Sequence, residues 1–194
     1  MNIRRRILCS GDGVKLLNWV GSTGSNATSV EFELNIRLLS TMEVMYEWEV
    51  QVADWANMFK AAIDRRTTWN ASNQQCGWYR NQSNSIDVLY FGTANTGRQL
   101  AGGNVGRLVG EVRADGIYLK NTTRHKTLTI STRQSVPEGS KMWITGYKIY
   151  SFKIWNNSEL IHDFVPAKYK GEYGLYDTVT KEFIRKKLGN ITGA

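Results

Sequence analysis

Apolar and polar residues alternate with period two through much of the chain. In "VEFELNIRL" the residues Val30, Phe32, Leu34, Ile36 and Leu38 are apolar, while Glu31, Glu33, Asn35 and Arg37 between them are polar. This is the pattern of a strand with one buried and one solvated face. "YEWEVQV" repeats it: Tyr46, Trp48, Val50 and Val52 point one way, Glu47, Glu49 and Gln51 the other. Shorter β-rich runs follow at 86–91, 106–112, 116–120 and 126–132, separated by the Gly, Asn, Asp and Ser clusters of turns. "YKIYSFKIWNNSELIHDFV" predicts a hairpin, with Tyr150, Phe152 and Ile154 alternating, a tight turn at Asn156 and Asn157, and a return from Leu160 to Val165. Only 54–63, "DWANMFKAAI", has helical spacing, at Trp55, Phe59 and Ala62. Many short strands with few helices predict an all-β fold, an antiparallel sandwich or barrel.

The 194 residues suit one all-β domain spanning 1–194, and no repeat or linker marks a second. Hydrophobic residues at 41% and charged residues at 22% are ordinary globular values. A chain of this length buries enough surface to fold without disulfides or metals. Cys9 and Cys76 are too few for a disulfide framework, and the sequence does not decide whether they pair. No apolar run reaches the roughly 20 residues of a membrane span. After Arg4, Arg5 and Arg6 the apolar run is only Ile7, Leu8 and Cys9, too short for a signal-peptide core, so the expected product is soluble and made in the cytoplasm. The net charge of +8 favours anionic partners: nucleic acid, acidic glycans or an acidic protein shell. No helix carries a basic stripe and no nucleic-acid motif occurs, so nucleic acid is the least expected of the three.

Candidate chemistry is sparse. The two histidines, His125 and His162, lie in unrelated segments, which argues against a His-based metal site. Asp163 follows His162, but neighbours in a strand face opposite sides and cannot form a hydrolytic pair. "GDG" and "AGGNVG" lack the setting of a phosphate loop. No cofactor is expected. The alternative is a calcium ion on loop oxygens at Asp12, Asp115 or Asp177, although no dense acidic loop exists.

The C-terminal stretch carries a resemblance. Tyr150, Phe152 and Ile154, the Asn156–Asn157 turn, then Leu160, Phe164, Pro166, Gly174, Tyr176, Asp177 and Phe183 resemble the closing strands of concanavalin A-like lectin/glucanase (laminin-G-like) jelly-roll domains of gut bacteria and their phages. "LLNWVGSTGSNATSVEFEL" resembles the opening of such domains. The resemblance implies an antiparallel β-sandwich jelly roll in which Pro166, Gly174, Tyr176 and Asp177 form a structural motif. Pro166 ends or edges a strand, and 168–172 forms a basic loop. Gly174 allows close approach or a positive φ, Tyr176 buries its ring, and Asp177 accepts backbone N–H groups in an Asx-type turn.

Glucanases of this fold use paired carboxylates on one strand face. The nearest equivalent is Glu43, Glu47 and Glu49, where Glu47 and Glu49 share a face, but the expected intervening Asp is missing. The expectation is therefore no catalysis. Binding is expected instead at Trp69, Trp78, Tyr79, Arg80 and Asn81, where aromatic planes stand among amide and guanidinium donors, a combination suited to carbohydrate. The competing assignment puts these aromatics in the core. The resemblance and the export reading together imply a bacteriophage virion protein, a head or tail decoration or fibre-associated module. Its partners would be other virion proteins or further copies of itself, and bacterial surface glycans. The alternatives are a bacterial carbohydrate-binding protein and a divergent glucanase.

Overall fold

The computed structural model describes residues 7–8, 13–23, 30–37, 39, 41–50, 60–62, 77–80, 86–89, 99–100, 106–122, 126–130, 141–187 and 189–194. Ile7–Leu8 (β1), Val14–Leu16 (β2) and Val20–Ser22 (β3) precede the long strands Val30–Arg37 (β4) and Met42–Val50 (β5). Lys60–Ala62 (β6), Gly77–Arg80 (β7), Ile86–Leu89 (β8) and Gln99–Leu100 (β9) form a meander. Gly106–Arg113 (β10), Gly116–Asn121 (β11), Lys126–Ile130 (β12) and Lys141–Gly146 (β13) follow. The tail holds Lys148–Asn156 (β14), Glu159–Tyr169 (β15), Glu172–Asp177 (β16), Glu182–Arg185 (β17) and Ile191–Gly193 (β18). No helix occurs among the described residues. Of the helical segment expected at 54–63, residues 60–62 are strand, paired with β7 through Ala61↔Trp78, and the rest lies outside the described residues. A cross-strand partner overrides helical spacing there.

The large sheet has the order β1-β17-β16-β15-β14-β5-β10-β11-β12, with β2 on β15, β3 on β14 and β18 on β3. A second ladder joins β13 to β4. All these pairings are antiparallel. The alternation read in β4 is realised: Val30, Phe32, Leu34 and Ile36 are buried. They share one apolar cluster with Met142 and Ile144 of β13 and with Val44, Tyr46, Trp48, Leu108, Ile149, Phe152, Phe164 and Leu175 of the large sheet. Two antiparallel layers with a common apolar interior make this an all-β, sandwich-type fold. Each such side chain contributes about 1.5–3 kcal/mol by leaving water.

An aromatic row crosses this interior. Trp48 stacks on Tyr46 at 4.7 Å, Tyr46 meets Phe152 edge-on at 5.5 Å, and Phe152 stacks with Phe164 at 6.2 Å. The row ends with His162 stacked on Phe164 at 5.4 Å. Residues i and i+2 of a strand share a face, and directly opposed residues share it across strands, so register alone aligns these rings.

Three local expectations shift. The β14–β15 turn is centred on Asn157 and Ser158, with φ of 50° and 67°, one position beyond the expected Asn156–Asn157. Asn156 stays extended because it pairs with Glu159 and Met42, and its side-chain oxygen accepts from Thr41 Oγ1 at 2.6 Å. The expected basic loop at 168–172 is a two-residue turn instead, Lys170 and Gly171 with φ of 47° and 84°, and strand pairing continues to Tyr169↔Glu172. Pro166 neither ends nor edges its strand. It lies inside β15, where that strand changes neighbour from β14, last paired at Phe152↔Phe164, to β2, first paired at Leu16↔Ala167. Its carbonyl accepts from Leu17 N–H at 2.9 Å on the β2 side, so its nitrogen also faces the seam and leaves the β16 ladder intact.

Candidate functional site

The structural motif of the tail converges on Asp177. This residue ends β16, is 1% exposed, and lies opposite Phe164. Its Oδ1 accepts from the N–H groups of Asp163 and Val179, both at 3.0 Å. Its Oδ2 accepts from Thr180 Oγ1 at 2.7 Å and meets His162 Nδ1 at 2.6 Å. The bond to Val179, two residues on, is an Asx turn. The bond to Asp163 N–H substitutes for a backbone carbonyl and carries the β15–β16 ladder past its last rung, where Thr178 N–H already donates to Asp163 O at 2.8 Å. Burial alone would raise the pKa of this carboxyl. The donors from His162, Asp163, Thr180 and Val179 outweigh burial and hold it at about 2.

His162 and Asp163 are neighbours in β15 and face opposite sides of it, as their adjacency in the sequence requires. The carboxylate that meets His162 comes from the next strand. Four donors fill the roughly four lone-pair sites of a carboxylate, so Asp177 has none left for a cation or a ligand. Thr180 donates to Asp177 rather than standing as a nucleophile before His162. Asp163 faces the opposite side of β15, where its Oδ2 meets Lys153 Nζ at 3.4 Å and its buried Oδ1 has no partner among the described residues.

Around Asp177 the motif is tightly packed. A Cβ at Gly174 would stand 2.5 Å from Phe183 Cζ and would also meet the Ile184 carbonyl oxygen, so close approach, not a positive φ, explains the glycine. Tyr176 buries its ring with Ala167 and Phe183 in a second small apolar cluster, flanked by Val14, Val165 and Tyr169.

The glutamates of β5 lie on the polar face. Glu43 accepts from Ala114 N–H at 3.1 Å. Glu47 receives Arg107 Nε at 2.6 Å, and that guanidinium lies 3.9 Å from the Tyr150 ring centroid. Glu49 binds Lys148 Nζ at 3.1 Å and accepts from the Tyr150 hydroxyl at 2.6 Å. Burial, then the bond to Glu49 and its charge, push the Tyr150 phenol well above its ordinary range. The partners of Glu47 and Glu49 come from β10 and β14, 60 to 101 residues away in the chain. No local motif announces them; only strand register reveals them.

Of the residues expected to bind carbohydrate, Trp78, Tyr79 and Arg80 belong to β7, opposite Val88, Asp87 and Ile86 of β8. Trp69 and Asn81 lie outside the described residues, as do Cys9, Cys76, His125 and Asp12. Among the described residues no group of three or more His, Cys, Asp or Glu side chains could hold a metal. Asp115 accepts from the Tyr118 hydroxyl at 2.9 Å. No helix among them is long and apolar enough to cross a membrane. Comparison with known proteins finds no matching family model, no matching curated protein and no matching solved structure.

Proposed function

We propose that this chain is a non-catalytic, lectin-like module of the concanavalin A-like jelly-roll kind, used for glycan adhesion or surface decoration on a bacteriophage virion. The supporting observation is the engagement of the β5 carboxylates. Glycoside hydrolysis needs one carboxyl to give up a proton and another to attack or activate water. Glu47 is held by Arg107, Glu49 by Lys148 and Tyr150, and Glu43 by a backbone amide, which are the cross-strand ties of a structural face. The net charge of +8 suits attachment to acidic virion proteins or acidic glycans.

The test has two arms. On a glycan array the protein should bind, and with a polysaccharide panel it should release no reducing sugar. Hydrolysis that disappears in Glu47→Gln would establish a glucanase and overturn the proposal. Antibody labelling of purified virions should decorate particles; binding to glycans with bare particles would assign the chain to a bacterial carbohydrate-binding protein.

A further inference from the structure

We propose that Lys15 of β2 and Lys168 of β15 form an anion-binding subsite for a uronate residue of an acidic glycan; the inference rests on the adhesion reading and gives it a ligand class. Lys15 and Lys168 are directly opposed in antiparallel register, and Lys168 is in turn opposed to Tyr173 of β16. Direct opposition puts all three side chains on one face of the sheet. Like charges in such a pair repel and destabilise the ladder. Elsewhere on the sheet cations in comparable positions are matched: Arg107 with Glu47, Lys148 with Glu49, Lys153 with Asp163. Neither Lys15 nor Lys168 has an ion pair among the described residues.

Lys168 Nζ lies 4.7 Å from the Tyr173 ring centroid, a contact that holds the ammonium in place without neutralising it. Glu172, the next residue in β16, faces the other side and pairs with Arg185 Nε at 2.6 Å. Opposed Cα atoms are about 5.5 Å apart in a hydrogen-bonded pair, so both ammonium groups reach one carboxylate and their repulsion becomes joint attraction. A compact pair of this kind fits a single anionic group on a sugar; a nucleic acid backbone would call for a longer basic track.

Isothermal titration calorimetry with an alginate tetrasaccharide, maltotetraose and a single-stranded DNA oligonucleotide tests this on the full chain. Alginate should bind, more weakly as salt rises. Lys15→Gln and Lys168→Gln should each weaken binding by about tenfold. The melting temperature of Lys15→Gln should be no lower than the parent's, since that substitution relieves repulsion and removes no attractive contact described above. Lys120→Gln, an exposed lysine of β11, should bind as the parent does. The inference is overturned by absent alginate binding, by an equal loss in Lys120→Gln, or by DNA binding tighter than alginate binding. Maltotetraose bound without alginate overturns this inference and leaves adhesion standing; a glycan array silent throughout overturns both.

Discussion

Replacing Asp177 by asparagine removes one charge and almost no volume. The amide oxygen can still accept from the Asp163 and Val179 N–H groups. The new NH2 group stands where Oδ2 met His162 Nδ1 and Thr180 Oγ1. His162 must then present its Nδ1 lone pair and Thr180 must turn its hydroxyl to accept. Two charge-assisted bonds, each worth about 1.5–3 kcal/mol, become neutral bonds worth about 0.5–1.5. The expected loss at neutral pH is about 2–3 kcal/mol. Linkage leads to a similar figure independently. The carboxyl titrates at about 2 in the folded chain against 3.8 for an unperturbed group. At about 1.4 kcal/mol per unit this is roughly 2 kcal/mol. Since the folded-state value is the lower one, the stabilisation is complete above 3.8 and vanishes as pH falls through about 2. Urea unfolding followed by tryptophan fluorescence should show a gap between parent and Asp177→Asn at pH 7 that narrows by roughly 2 kcal/mol on approaching pH 2. A gap independent of pH, or no gap, would refute the assignment of Asp177 as a charged clamp.

Gly174→Ala should cost about 1–3 kcal/mol in urea unfolding, because the methyl group meets the Ile184 carbonyl and Phe183 ring and the strand must shift. Phe152→Ala should cost about 3–5 kcal/mol by the same assay, since it empties the centre of the aromatic row. In Glu49→Gln, ultraviolet titration of the tyrosines should show Tyr150 ionising at lower pH than in the parent, because the carboxylate charge that opposes ionisation is gone and the bond that remains is to a neutral amide.

Strand content was legible where one face is buried and the other wet. Val30 to Arg37 alternate cleanly, and so do the residues buried there. The tail was legible in part: Asp177 followed by Thr178 suggested an Asx turn, and Val179 N–H closes it. The rest depended on pairing, which a single chain does not spell out. His162 is stacked on Phe164 and held by Asp177, 15 residues further along the chain, and that contact exists only once β15 and β16 are in register. The turn at Asn157 and Ser158 was misplaced by one residue because Asn156 is claimed by β5 and Thr41. Pro166 was assigned to a strand end because a proline inside a sheet needs a change of partner, and β2 supplies that change from near the opposite end of the sequence. The opposed lysines of the proposed subsite were invisible for the same reason.

The seat of β5 between β10 and β14 has a consequence during synthesis. One flank is supplied by Gly106–Arg113 and the other by Lys148–Asn156, so a ribosome must make most of the polypeptide before that strand gains both neighbours. Until then Tyr46 and Trp48 lack Leu108, Ile149 and Phe152, which share their apolar cluster. Such distant closures slow folding and prolong exposure to aggregation. Nascent chains halted short of residue 148 should therefore be protease-sensitive and chaperone-bound, and only chains extending past the β14–β17 hairpins should become resistant.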